Sequence, residues 1–200
     1  MLARSGLLIG LIAVLVAAAF FIWRGSDDLV SDNEGGTAAI GGSFTLQDQK
    51  GNTVSDKDLR GKWSLVFFGF TSCPDICPMG LSAIDNTLQQ LGSQASKIQP
   101  VFITLDSAHD TPEVLASYLS HFNSPWLGLT GTSIQVDAAA GAYRVYYARQ
   151  DLPESELGYT INHSGYIYLM GPDGKYRAHF NHNDAPEIIA AGVQKALADE

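Results

Sequence analysis

The chain has 200 residues, of which 46% are hydrophobic and 16% charged, with a formal net charge of −9 at pH 7. That composition excludes intrinsic disorder and an all-membrane protein, and it leaves room for one domain of ordinary size. All 21 acidic residues lie beyond Ser26, and a domain so acidic lacks the basic stripe that displaces phosphate counterions, so nucleic acid is excluded as a partner.

Taken in chain order, the first feature is the uncharged run Leu7–Trp23, bounded by Arg4 and Arg24. At helical rise it would span roughly 25 Å, the short end of what crosses a bilayer core. Arg4 and the terminal amine on one side, against Asp27 and Asp28 on the other, favour a cytoplasmic N-terminus. Cleavage after Ala17-Ala18-Ala19 would leave the apolar stub Phe20–Trp23, so an uncleaved single-pass anchor is predicted. No cysteine follows the run to carry a lipid, and there is no Arg- and Ser-rich presequence, so the expected setting is a bacterial inner membrane with the domain in the periplasm. This divides the chain into residues 1–24 as anchor, 25–42 as an acidic, glycine-rich tether and 43–200 as the folded domain.

Within the domain, Ser43–Leu46 and Thr53-Val54 flank Gly51-Asn52 as a short hairpin. Trp63–Phe70 is a continuous apolar run, as in a strand buried on both faces, and Ile98–Leu105 is a second one. Leu81, Ile84, Leu88 and Leu91 give Pro78–Leu91 helical spacing. Thr111-Pro112-Glu113 opens a helix through Phe122, and Ile134–Tyr143 is a third helix. Val145–Arg149 reads as a strand, and Tyr166–Met170 and Lys175–Phe180 form a hairpin about Gly171-Pro172-Asp173-Gly174. A last helix runs from Asp184 and Pro186 to Leu197. The order predicts an α/β sandwich with a mixed sheet, parallel in the centre and closed by a hairpin.

The chemistry is concentrated in TSCPDICP, which holds the two cysteines, Cys73 and Cys77. A disulfide closing so short a loop would gain little chain entropy. Pro74 and Pro78 keep the residues before them out of the α region, so CPDIC should be a tight loop with Cys77 capping a helix that starts at Pro78. The dipole of that helix would lower both thiol pKa values. A thiolate is both a metal ligand and a nucleophile, so metal binding and disulfide exchange both remain open.

These residues carry a resemblance. FFGFTSCPDICP, the Leu105–Glu113 segment with its D-x-x-x-D-T-P-E pattern, and YTINHSGYIYLMGPDGK at Tyr159–Lys175 resemble the Sco/SenC/PrrC family over roughly Gly42–Leu197. The resemblance implies a thioredoxin-like fold and a membrane-anchored metallochaperone, not an enzyme, that delivers copper to the copper centre of cytochrome c oxidase subunit II after loading by an unknown upstream donor. It further implies one copper per chain on Cys73, Cys77 and His163. Two thiolates and a neutral imidazole are a soft set suited to Cu(I), giving a net −1 site with Cu(I) and zero with Cu(II), so either oxidation state is open, and they are one ligand short of a structural zinc site. A thiol-disulfide oxidoreductase acting on the oxidase's cysteines is the alternative, with Cys73 and Cys77 as the redox pair. A peroxide or redox sensor is the third reading.

Two departures stand out. Asn162 replaces the Asp that precedes the family's ligand His, removing a carboxylate expected to buttress the metal. The family's D-P-x-R-D-T-P loop appears as Asp106–Pro112 without its Pro and Arg, in what the resemblance implies is a partner-facing loop. Of the other histidines, His109 reads as a surface residue and His121 as a helix C-terminal partner, while His179 and His182 form an H-x-x-H pair at a strand end. Asp75 reads as a turn former, Met79 as helix packing, and Phe67, Phe68, Phe70, Tyr159 and Tyr166 mostly as core.

Overall fold

The computed structural model describes residues 40–199, and the anchor and the greater part of the tether lie outside them. Among the described residues no helix is long and apolar enough to cross a membrane.

Two strands form the centre because their sequences are dominated by large apolar residues. In β3 (Trp63–Gly69) all seven residues are buried, and β4 (Ile98–Thr104) is buried at six of its seven positions. They pair in parallel, with Phe67 opposite Phe102 and Gly69 opposite Thr104. Around them stand β1 (Thr45–Asp48), β2 (Thr53–Ser55), β5 (Leu127–Thr130), β8 (Tyr166–Met170) and β9 (Tyr176–Asn181), in the order β2-β1-β5-β4-β3-β8-β9. β5 joins β4 in parallel, and the two hairpins β1-β2 and β8-β9 close the sheet antiparallel. The predicted mixed sheet, parallel at its centre, is therefore present. Strand β5 escapes the sequence reading because it is short and carries Gly128, whose missing side chain accommodates Leu119.

Among the described residues four α-helices accompany the sheet: α1 (Ile76–Leu91), α2 (Pro112–Leu119), α3 (Ser133–Ala142) and α4 (Pro186–Ala198). Helix α2 starts as its sequence dictates, with the Thr111 side chain accepting the Val114 N–H at 3.3 Å and Pro112 at the first position. Thr132 and Gln135 close a capping box on α3.

One element departs from expectation. The predicted strand at Val145–Arg149 is β6 (Tyr147–Asp151), and it stays out of the main sheet. It pairs with β7 (Tyr159–His163) in a separate antiparallel ribbon, with Tyr147 opposite His163. A ribbon outside the sheet needs only one inward face, and only Ile161 of its ten residues is fully buried. That sparse apolar pattern hid β7 from the sequence reading.

Candidate metal centre

The centre lies where β3 and β4 end. Gly69 closes β3, and the chain turns through Phe70–Cys73, with the Cys73 N–H donating to the Phe70 carbonyl at 3.3 Å. Gly69 is required here, since a Cβ at that position would lie 2.7 Å from Cys77 Sγ and 3.0 Å from the Phe102 ring.

Helix α1 begins at Ile76, with Asp75 as its capping residue and no side-chain cap bond. The expected start at Pro78 with Cys77 as cap is thus corrected. A proline is tolerated anywhere in the first turn, because those N–H groups have no intrahelical partner, so Pro78 does not mark the boundary. Cys77 consequently sits inside the first turn and is fully buried, while Cys73 in the loop is partly exposed.

This placement separates the two thiols. The Cys77 thiol hydrogen-bonds the Cys73 sulfur, and backbone N–H groups of Asp75, Cys77 and Ile76 add to it, holding the Cys73 pKa down to about 6 against opposing burial. The Cys77 N–H lies 3.5 Å from Cys73 Sγ. Cys77 moves the other way: donating to Cys73, burial and the neighbouring thiolate push its pKa well above the usual range. The expectation that the helix terminus lowers both is corrected, because one proton shared between adjacent sulfurs cannot leave both easily.

His163 comes from the last position of β7. Its Nε2 lies 3.9 Å from Cys77 Sγ, and its Nδ1 lies 3.2 Å from the Ile161 carbonyl oxygen. A carbonyl can only accept, so Nδ1 carries the proton and Nε2 offers its lone pair toward the sulfur. Burial holds the His163 pKa down, which keeps the ring neutral. Phe67 and Phe70 present their rings edge-on at 6.3 and 5.9 Å. The three sequence-predicted residues are therefore brought together, one soft anion, one buried thiol and one neutral imidazole, in a largely apolar seat.

Position 162 plays no part in that seat. Strand side chains alternate, so Asn162 faces away from the cysteines and donates to Gln150 Oε1 at 2.7 Å. The buttress of His163 is the Ile161 backbone, which answers the expectation that Asn162 costs the metal a supporting carboxylate.

The Asp106–Pro112 loop turns its two carboxylates inward, while Ala108 and Thr111 stay exposed. Asp110 is completely buried and accepts from Thr71 N at 3.0 Å, Thr71 Oγ1 at 2.6 Å and Thr104 Oγ1 at 2.5 Å. His109 Nδ1 lies 2.9 Å from the same carboxylate, so His109 is not a free surface residue. Asp110 thereby ties the cysteine loop to the end of β4. Asp106, also buried, accepts from the Tyr159 hydroxyl at 2.6 Å, and the Arg149 guanidinium lies 3.5 Å from the centre of the Tyr159 ring. Burial and the Asp106 carboxylate push the Tyr159 pKa up to about 12, so the phenol stays a donor. Tyr159 and His163 share β7, so this bond latches the His-bearing ribbon to the main sheet. Sequence reasoning missed both networks, although the paired acids of the D-x-x-x-D pattern were the signal.

His179 and His182 do not act as a pair. His179 packs on Tyr166 and Tyr176, with its Nδ1 2.6 Å from the Tyr176 hydroxyl. His182 packs on Gly165, its Nδ1 3.1 Å from that residue's carbonyl. His121 Nδ1 lies 3.1 Å from the Tyr118 carbonyl at the end of α2, the C-terminal role expected of it. Met79 is 49% exposed, so it is not helix packing. Tyr166, 39% exposed, is not core either.

The SCO1/SenC family model matches residues 32–198. The chain belongs to the SCO1/SenC family. It is 41% identical over 150 residues to the SCO2-like protein of Rickettsia felis, covering 75% of this chain and 73% of that one. The solved structure of Bradyrhizobium japonicum ScoI with copper bound is 40% identical, covers 78% of this chain and 99% of its own, and superposes with a TM-score of 0.71. BsSco, described as a member of the Sco family of cytochrome c oxidase assembly proteins and as having a disulfide switch, is 26% identical, with a TM-score of 0.63 over 79% of this chain and 93% of its own. The SCO1/SenC fold of this chain is thus the thioredoxin-like sandwich predicted from sequence.

Proposed function

We propose that this SCO1/SenC protein carries copper as cargo on Cys73, Cys77 and His163, and hands it to the copper centre of cytochrome c oxidase subunit II during assembly. The supporting observation is the approach of His163 Nε2 to Cys77 Sγ at 3.9 Å, with Nδ1 already committed to the Ile161 carbonyl. Copper found in the related ScoI supports the cargo, and the description of BsSco as an oxidase assembly protein supports the destination.

The chemistry follows from the split thiols. Cys73 is largely thiolate at neutral pH and makes first contact from its partly exposed position. Engagement of Cys77 then requires loss of its proton, so loading releases a proton and becomes easier as pH rises. His163, already neutral, closes the set without a proton cost. Three soft ligands hold Cu(I) but leave it open to attack by an incoming ligand, which is what a carrier needs. The Leu7–Trp23 segment would tether the domain at the periplasmic face of a bacterial inner membrane, within reach of a membrane-embedded oxidase.

The same split supports a second reading, a thiol-disulfide reductase. A partly exposed low-pKa thiol beside a buried high-pKa partner is the asymmetry of an attacking and a resolving cysteine. The disulfide switch described for BsSco is consistent with it. An anaerobic competitive Cu(I) titration of the reduced full-length chain and of His163→Ala, with a disulfide-exchange assay alongside, separates the two. Tight 1:1 binding that collapses in the variant while exchange persists supports the carrier. Equal copper affinity in both proteins overturns the three-ligand site.

A further inference from the structure

A groove of about 460 Å³ lies between the first turns of α1 and the segment from His182 to Pro186. Its far end is fixed by the Thr87 hydroxyl, which lies 3.4 Å from the Pro186 carbonyl. Following α1 back from Thr87 toward its N-terminus passes Ala83 and Ser82 and ends at Met79 and Pro78, while the facing segment runs back from Pro186 to His182. Met79 and His182, a thioether and an imidazole, both line the groove. Met79, two residues after Cys77, is half exposed. His182 uses Nδ1 to donate to the Gly165 carbonyl, which leaves the Nε2 lone pair uncommitted to that bond. Its ring rests directly on Gly165, where a Cβ would lie 2.5 Å from Nδ1, and Gly165 is two residues beyond His163. Asp184, which also lines the groove, accepts the Asn181 N–H at 2.8 Å.

We propose that Met79 and His182 form a second, weaker Cu(I) site at the head of this groove, through which copper passes between a partner's ligands and the Cys73–Cys77–His163 centre. This rests on the copper-carrier reading. A thioether and an imidazole select Cu(I) over hard cations. With no thiolate the pair holds copper more weakly than the principal centre, as a transfer station must. Met79 sits two residues after Cys77 in the first turn of α1, and the His182 ring packs on Gly165, two residues after His163, so each neighbours one of the principal ligands along the chain.

The test uses the reduced full-length chain labelled with ¹³C at its methionine methyls, titrated with Ag(I) as a redox-inert stand-in for Cu(I). The first equivalent is expected to move the His163 ring resonances. The second is expected to move the Met79 methyl and the His182 ring together, with the methyl of Met170, which is only 3% exposed, unmoved as an internal control. Met79→Leu and His182→Asn should each abolish the second-equivalent shift at the remaining partner. The proposal is overturned if the second equivalent leaves Met79 and His182 unmoved. It is equally overturned if His182 responds undiminished in Met79→Leu, or if Met79 moves with the first equivalent alone, which would make it a ligand of the principal centre. A first equivalent that fails to move His163 overturns the carrier reading instead, and Cys73→Ser/Cys77→Ser/His163→Ala then reads the second site by itself: a joint Met79 and His182 shift supports it, and no shift rejects it.

Discussion

Cys77 Sγ and His163 Nε2 stand 3.9 Å apart although 86 residues separate them in sequence. Two independent pieces of scaffold create that approach: the β3–α1 junction, which buries Cys77, and a two-stranded ribbon outside the main sheet, which carries His163. The quality of the site depends on how firmly those two pieces are held to each other.

The thiols should titrate far apart. With Cys73 held to about 6, its alkylation rate by iodoacetamide should rise with pH through that value, because the thiolate is the nucleophile. Cys77, raised and buried, should stay unmodified in the folded protein past the pH at which a free thiol reacts. Mass spectrometry of pulse-labelled protein between pH 4 and pH 9 reads both curves (a range set by roughly the ordinary thiol pKa). Equal modification of the two sulfurs at any pH in that range would contradict the asymmetry.

Gly69→Ala should damage the centre from behind. The new methyl falls 2.7 Å from Cys77 Sγ, and neither that sulfur, packed in the first turn of α1, nor the buried Phe102 ring has room to retreat. Overpacking of this kind costs about 1–3 kcal/mol. Urea unfolding should show the lower midpoint, and Cu(I) affinity should fall with it, since Cys77 is the atom displaced.

Tyr159→Phe removes the latch on the ribbon and leaves the buried Asp106 carboxylate without its phenol donor. A stability loss of about 1–3 kcal/mol is expected. Copper should leave several-fold faster, because His163 shares β7 with Tyr159, while the Cys73 alkylation profile stays in place. Stopped-flow transfer of Cu(I) to a chelator measures the first effect. A shifted alkylation curve with an unchanged transfer rate would place Tyr159 on the wrong side of the site.

Asp110→Asn preserves shape but turns an N–H toward donors. Thr71 N, Thr71 Oγ1 and Thr104 Oγ1 all point at the native carboxylate, and an amide cannot accept from all of them. The expected loss is about 3 kcal/mol, seen as a lower denaturation midpoint with unchanged slope. Because Thr71 precedes Cys73 by two residues, the variant should also react faster with thiol reagents as the loop loosens.

The amino-acid sequence by itself determined the central strands, since Trp63–Gly69 and Ile98–Thr104 are dominated by large apolar residues and fit a sheet covered on both faces. It also determined the donor chemistry, because Cys73, Cys77 and His163 are soft groups whatever their arrangement. The alternation of β7 could have shown that position 162 faces away from His163, had that strand been legible, but its partial burial blurred the period.

Tertiary structure decided the rest. Which thiol is acidic depends on which sulfur accepts the shared proton and which is buried, a matter of a few ångströms at the start of α1 that two cysteines before two prolines do not reveal. The roles of Asp106, Asp110 and Tyr159 were equally hidden, for a buried carboxylate is recognised by the donors that surround it, and those donors come from Thr71, Thr104 and a strand more than fifty residues away. Local pattern specifies elements and ligand types. Burial and hydrogen-bond partners, which set protonation and rigidity, exist only once distant segments have packed.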